Sequence, residues 1–417
     1  MKAIGVTQWE PSESAWLVLL CFNRFAASLS FMMYAGTLAV VAAAWGMTAS
    51  EAGSIQTAFN LCYALSLVVT SWLADRIGAK RVFQVSSWLT AAGAIVFALF
   101  AHSYWSGLVL FVILGLVQGG TYGPSIMLVA QGVPARRRGA AVGWLIAAAS
   151  LGYFGSISLT GTLTSNFGYR IAFLACGIGP VIGAIASQIG LRRKPNFVAP
   201  KTVRRSSLLS FLTDRRSLLL TIGYTAHCWE LLGMWAWMPA FLTAALAGYK
   251  HISVHGLIIA AVIHLSGFAA SVSTGIASDR VGRRLVLITL AAAGALCSFI
   301  IGWTMSQTMF VLLPLAALYG FTVVGDSGVL STAMTESVDT GSLGTALAVR
   351  SILGFGAGGL APLAFGLVLD TTPGPSGWGW AFASLGIGGA VATLCAVFLA
   401  ADRPARPMRP TISESAT

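Results

Sequence analysis

The chain has 417 residues, of which 56% are hydrophobic and 9% charged, with a mean hydropathy of +0.81 and a formal charge of +12. Soluble domains carry roughly 25% charged residues, so a chain this long and this apolar reads as an all-α membrane protein with many spans. The apolar segments are continuous rather than alternating, which excludes a porin-like barrel, and the basic residues gather in short loops, as membrane topology rather than nucleic-acid binding requires.

The first fourteen residues hold Lys2, Glu10 and Glu13 and lack the charged leader and cleavage site of a secretory signal, so the first span is expected to stay as an anchor. Twelve spans are predicted, at 15–43, 52–74, 82–102, 106–131, 139–165, 170–191, 217–246, 254–278, 285–305, 308–333, 342–369 and 378–400. Each is long enough to cross a bilayer at about 1.5 Å per residue. The polar stretch 192–216, with Pro195 and Pro200, divides them six and six. The expected organisation is therefore an N-terminal six-helix bundle (1–191), a cytoplasmic linker (192–216), a C-terminal six-helix bundle (217–400) and a cytoplasmic tail (401–417). A short amphipathic helix at Leu208–Leu212 would lie on anionic lipid.

Of the 25 lysines and arginines, only Arg170 and Lys250 fall on one side of these spans, and Arg24 and Arg350 fall inside them; the rest lie on the other side. That asymmetry predicts a multi-pass protein of a bacterial inner membrane with both termini cytoplasmic. The cysteines (Cys21, Cys62, Cys176, Cys228, Cys297 and Cys395) all lie within apolar spans without metal-site or disulfide spacing, and read as small core residues.

One short run occurs twice. It reads Ser71-Trp-Leu-Ala-Asp75-Arg76-Ile-Gly78-Ala-Lys80-Arg81, and 204 residues later Gly275-Ile-Ala-Ser-Asp279-Arg280-Val-Gly282-Arg283-Arg284. Gly115, Gly120, Gly123 and Gly139 recur 205 residues later as Gly320, Gly325, Gly328 and Gly344. Such repetition is the mark of a transporter made of two similar halves around a mid-membrane site.

The duplicated Asp-Arg-x-Gly-x-Lys/Arg-Arg, in the loops after spans 2 and 8, resembles the signature of the major facilitator superfamily, and the likeness extends over essentially the whole chain. It implies twelve helices in two pseudo-symmetric six-helix bundles that rock about a central site. It also implies a gating role for Asp75 with Arg76 and for Asp279 with Arg280. The sequence departs from several subfamily patterns. Ser71 replaces the usual leading glycine, Phe111 stands where many proton-coupled members have arginine, and the Gly-Pro signature of drug antiporters is absent from 151–161.

Ionisable residues at membrane depth are costly and mark function. Arg24 and Arg350 each lie nine residues into their spans, at matched depth in the two halves, where a guanidinium can fork onto a carboxylate. Snorkelling to the headgroups is the alternative for Arg24. Asn60 and His264 occupy equivalent positions in the two halves and join the arginines as expected substrate-binding residues. Asp326 is expected to pair with Arg350 and, with Glu230, to carry protons. Tyr34, Tyr63, Trp229, Trp235, Trp237 and Tyr319 are candidates to line the cavity, although each serves equally as apolar bulk. Together these residues predict a secondary transporter, working as a monomer and without a cofactor, that moves a small organic anion with protons. The rival reading is a Cu(I) or neutral-solute importer of the same fold, with Met234, Met238 and His264 as metal ligands. No hydrolase elbow, zinc-protease motif or phosphate-cradling loop supports an enzyme.

Overall fold

A computed structural model describes residues 11–198, 214–248, 252–337 and 343–399. The first ten residues, most of the expected linker with the 208–212 helix, and the 401–417 tail lie outside the described residues.

Every regular element among the described residues is helical. The first six spans comprise α1 (Pro11–Phe31) with α2 (Met33–Ala44), α3 (Ala49–Ile77), α4 (Ala79–Phe100), α5 (Tyr104–Gln118) with α6 (Gly123–Gly132), α7 (Ala135–Phe167) and α8 (Tyr169–Gly190). The remaining six comprise α9 (Arg215–Ala245), α10 (Ile252–Ala260) with α11 (Ser266–Val281), α12 (Arg283–Ile301), α13 (Met309–Ser337), α14 (Leu343–Gly358) with α15 (Ala361–Thr371), and α16 (Pro375–Phe398). Among the described residues, eleven helical segments are long and apolar enough to cross a membrane. The helix α9, 31 residues long and packed against α14 and α16, makes the twelfth. Its polarity comes from His227, Glu230 and its tryptophan indoles.

Four spans are broken near their middles. Span 1 breaks at Met32, span 4 at a 3₁₀ turn (Gly119–Thr121), span 8 at a π turn (Ala261–Leu265) and span 11 after Gly358. A break frees backbone groups that hydrocarbon cannot satisfy, so it is tolerated where protein or a cavity covers it.

The repeated loop motif has a conformational cause. Gly78 (φ 94°) and Gly282 (φ 95°) end α3 and α11 in the left-handed region that side chains resist, and the chain reverses at once into α4 and α12. Large apolar side chains such as Trp105 (70% exposed) and Phe310 (79% exposed) point outward, as lipid contact allows.

Helices α1–α8 and α9–α16 form the two bundles. Between them, α15 lies on α3, α10 on α7, α9 on α2 and α14 on α3. The closest approaches are at the end away from the Gly78 and Gly282 loops. A β-carbon on Gly161 would fall 2.3 Å from the Gly256 backbone, and one on Gly53 would fall 2.2 Å from the Pro362 carbonyl. The Leu363 amide donates to Thr57 Oγ1 at 3.1 Å there. The two halves are thus closed against each other at the end remote from the basic loops.

Candidate functional site

Arg24 is carried by α1 and is 7% exposed. It does not snorkel. Its guanidinium lies 4.8 Å from the centroid of the Tyr122 ring, and Nη1 is 3.5 Å from Thr121 Oγ1 in the broken part of span 4. Tyr63 and Tyr153 lie within electrostatic range on either side. Its Nε has no hydrogen-bond partner.

Arg350 mirrors it from the other bundle. Carried by α14 and 8% exposed, it stacks 3.9 Å over the centroid of Tyr224. Nη2 donates to Ser331 Oγ at 3.1 Å, while Nε and Nη1 have no partner. Tyr122 and Tyr224, one under each guanidinium, are within electrostatic range of one another across the boundary between the halves. The two arginines therefore flank one aromatic seam, and both keep buried N–H groups free for a ligand.

The expected Asp326–Arg350 ion pair does not form. Asp326 Oδ1 lies instead 2.9 Å from Nδ1 of His227 on α9, and the other ring nitrogen, Nε2, is 2.8 Å from Ser327 Oγ. Glu230 points away from the seam into the C-terminal bundle. Ser298 donates to it at 2.6 Å, Tyr319 hydrogen-bonds Ser298 in turn, and Gly389 leaves room for the carboxylate.

Asn60 and His264 lie beyond the arginines, toward the closed end. Asn60 Oδ1 accepts from Gln56 Nε2 at 3.2 Å, leaving Asn60 Nδ2 and Gln56 Oε1 without partners. Exchanging O and N in both amides leaves the same inventory, one free donor and one free acceptor. Both amides and Phe31 line a small crevice with Leu232 and Trp235 of the other half, and Trp235 Nε1 is also unpaired among the described residues. His264, in the π turn, packs 5.9 Å from Tyr153 and 6.1 Å from Trp235, ring centre to ring centre.

Several expected cavity residues serve the scaffold. Tyr34 donates to the Ala52 carbonyl, Trp229 to Ser384 and Trp237 to Pro362. Met234 and Met238 are fully buried in the apolar core. The residues not anticipated are Tyr122, Tyr153 and Tyr224, which frame the arginines, along with Gln56 and the pairing role of His227. Their spacing to a charged residue gave a usable signal for Tyr224 alone, three positions before His227 on one helix face.

The motif residues stand apart from this site. Arg76 stacks 4.0 Å over the Trp72 ring rather than on Asp75. Asp279 takes Arg283 at 2.5 Å instead of Arg280, and Arg283 also reaches Glu336 at 3.1 Å. Both partners of Arg283 belong to the C-terminal bundle.

The family model of the Major Facilitator Superfamily matches residues 20–362. The chain belongs to this superfamily. A protein of Cupriavidus pinatubonensis described as a probable 4-methylmuconolactone transporter is 27% identical, over 81% of this chain and 80% of its own length. The niacin transporter NiaP of Acinetobacter baylyi is 24% identical, over 70% of this chain and 72% of its own. Among solved structures, a mutant of the nucleoside transporter NupG superimposes with a TM-score of 0.75, covering 93% of this chain and 99% of that one, at 14% identity. The last likeness is one of fold. This superfamily member is thus a multi-pass membrane transporter and not an enzyme.

Proposed function

We propose that this transporter carries a small organic anion across a bacterial inner membrane by alternating access, in symport with protons and as a monomer, with both termini in the cytoplasm. One observation carries the reading. Arg24 and Arg350, one from each half, are buried either side of a tyrosine seam with guanidinium N–H groups that nothing among the described residues satisfies. A buried cation with unpaired N–H groups is costly, and a carboxylate that forks onto them supplies the missing acceptors. Because the arginines belong to different halves, the anion would also draw the halves together, which is what a rocking cycle needs.

The aromatic walls suit a planar, partly apolar body. The relatives described as transporters of 4-methylmuconolactone and niacin support small organic acids as the solute class. The unpaired atoms of Gln56, Asn60 and Trp235 favour a neutral polar group at the far end of the solute, and they sustain a wholly neutral solute as the second reading. The Cu(I) alternative has less support, since Met234 and Met238 are enclosed by apolar side chains.

The test is counterflow in proteoliposomes against benzoate, nicotinate, cis,cis-muconate, a nucleoside and a neutral amide. Exchange of carboxylates, lost in Arg24→Ala and Arg350→Ala, is expected. Exchange of neutral solutes alone would replace the anion reading with the second one.

A further inference from the structure

His227 is 1% exposed, and both of its ring nitrogens are engaged by α13. Nδ1 lies 2.9 Å from Oδ1 of Asp326, within ion-pair reach, although that oxygen has no hydrogen bond among the described residues. Nε2 faces the Ser327 hydroxyl, which can donate or accept. The neutral imidazole accepts from Ser327; the charged one donates to it. The pocket therefore suits both protonation states with no movement beyond the turn of one hydroxyl. On the side of the seam the imidazole packs 5.9 Å from the Tyr224 ring, over which Arg350 stacks.

We infer that His227 and Asp326 together hold the co-transported proton, and that a carboxylate arriving at Arg350 is what makes them take it up. The inference rests on the anion reading above and deepens it by naming the coupling group. The charges around His227 are few. Asp326 meets it from α13, and Arg350 from α14 across Tyr224. Its own helix adds Tyr224, Cys228 and Glu230. Glu230 is in electrostatic range of Asp326 but is hydrogen-bonded to Ser298 of α12. From α16, Cys395 lines the same crevice as Asp326.

With Arg350 free, a neutral His227 and an ionised Asp326 leave one negative charge that the guanidinium offsets. A carboxylate on Arg350 cancels that cation. The negative pair then stands uncompensated in a medium of low dielectric, where an unpaired charge is strongly disfavoured. One proton restores the balance. It adds to Nε2 of His227, the Ser327 hydroxyl turns from donor to acceptor, and the pair becomes imidazolium and carboxylate with no net charge. When the solute leaves, Arg350 is again unmatched and the proton departs from the same nitrogen. Linkage makes the effect reciprocal, so acid conditions favour anion binding.

The experiment uses the full-length protein in proteoliposomes with benzoate, nicotinate and cis,cis-muconate as probes. For any probe that the wild type exchanges, the double variant His227→Gln/Asp326→Asn, whose neutral pair leaves no charge for a proton to balance, is expected to keep exchanging it. Its accumulation under an imposed pH gradient should fall at least tenfold, to the equilibrium level. Accumulation equal to wild type in the double variant overturns the inference and leaves the anion reading standing. Wild-type exchange of none of the three overturns both. A second measurement covers a variant that does not fold. Addition of the exchanged probe to unbuffered wild-type protein in detergent should draw close to one proton from solution per anion bound, read with a pH dye. No proton uptake on binding overturns the inference as well.

Discussion

The carboxylate of Asp370, at the end of α15, accepts from the backbone amide of Ser50 at 2.8 Å with one oxygen and from that of Ala49 at 2.8 Å with the other. The amides open α3, in the opposite bundle. An anion on exposed N–H groups at a helix N-terminus gains both hydrogen bonds and dipole interaction. This bond pair joins the halves at their closed end and has to break each time that end opens.

Asp370→Ala should therefore favour the state open at that end. Hydrogen bonds to a charged group contribute about 1.5–3 kcal/mol when shielded, and solvent exposure here reduces the pair to about 1 kcal/mol. The population should move roughly fivefold. Thr57→Cys, placed beneath the latch, reports the change through its rate of reaction with a membrane-impermeant maleimide. An unchanged rate in the Asp370→Ala background would show that the latch does not contribute to closure.

The contact of Gly161 with Gly256 should be more demanding. With a β-carbon 2.3 Å from the facing backbone, α7 and α10 cannot approach as they do. Overpacking of this kind costs about 1–3 kcal/mol. Gly161→Val is expected to hold the remote end ajar, and to slow counterflow more than tenfold at normal expression. Wild-type counterflow would mean that the helices separate without penalty in the working cycle.

The architecture was legible in the sequence because its causes are local. Span lengths follow from runs of apolar residues, and the duplicated loop is fixed by Gly78 and Gly282, whose positive φ a reader can anticipate from the motif. Burial was legible too, since Arg24 and Arg350 are both buried, each against a tyrosine. Lateral direction was not. Asp326 and Arg350 are at comparable heights on neighbouring spans, yet the rotation of α13 turns the carboxylate to His227. Glu230 is likewise three residues from His227 but faces a different set of helices. Rotation about a helix axis depends on which neighbours it meets. In a span that is apolar all round, no stripe of polarity announces it.

Lysine at either arginine position should fail as a replacement. Each guanidinium sits over a tyrosine ring and keeps N–H groups unpaired among the described residues, and an ammonium cannot stack and fork as a guanidinium does. Arg24→Lys and Arg350→Lys are each expected to weaken anion binding by about 2 kcal/mol, or roughly thirtyfold. Titration of purified protein with the exchanged carboxylate, followed by tryptophan fluorescence, measures the loss. Affinity within threefold of wild type in both variants would show that charge alone suffices and that the stacked geometry is incidental.

Glu230 offers the sharpest separation between structural and coupling roles. Its carboxylate accepts from Ser298, and Ser298 is also hydrogen-bonded to Tyr319, all within the C-terminal bundle. A group so placed is satisfied without a ligand. Glu230→Gln preserves size and can still accept from Ser298, so proton-driven accumulation should persist at no less than half the wild-type rate. Glu230→Leu removes the acceptor and leaves Ser298 and Tyr319 to share one hydrogen bond. Each buried polar group left unpaired costs about 1–3 kcal/mol. This should appear as a lower melting temperature in detergent, with Ser298→Ala showing a smaller drop in the same direction. Loss of accumulation in Glu230→Gln with unchanged melting would reverse the assignment, making Glu230 the proton carrier and His227 its relay.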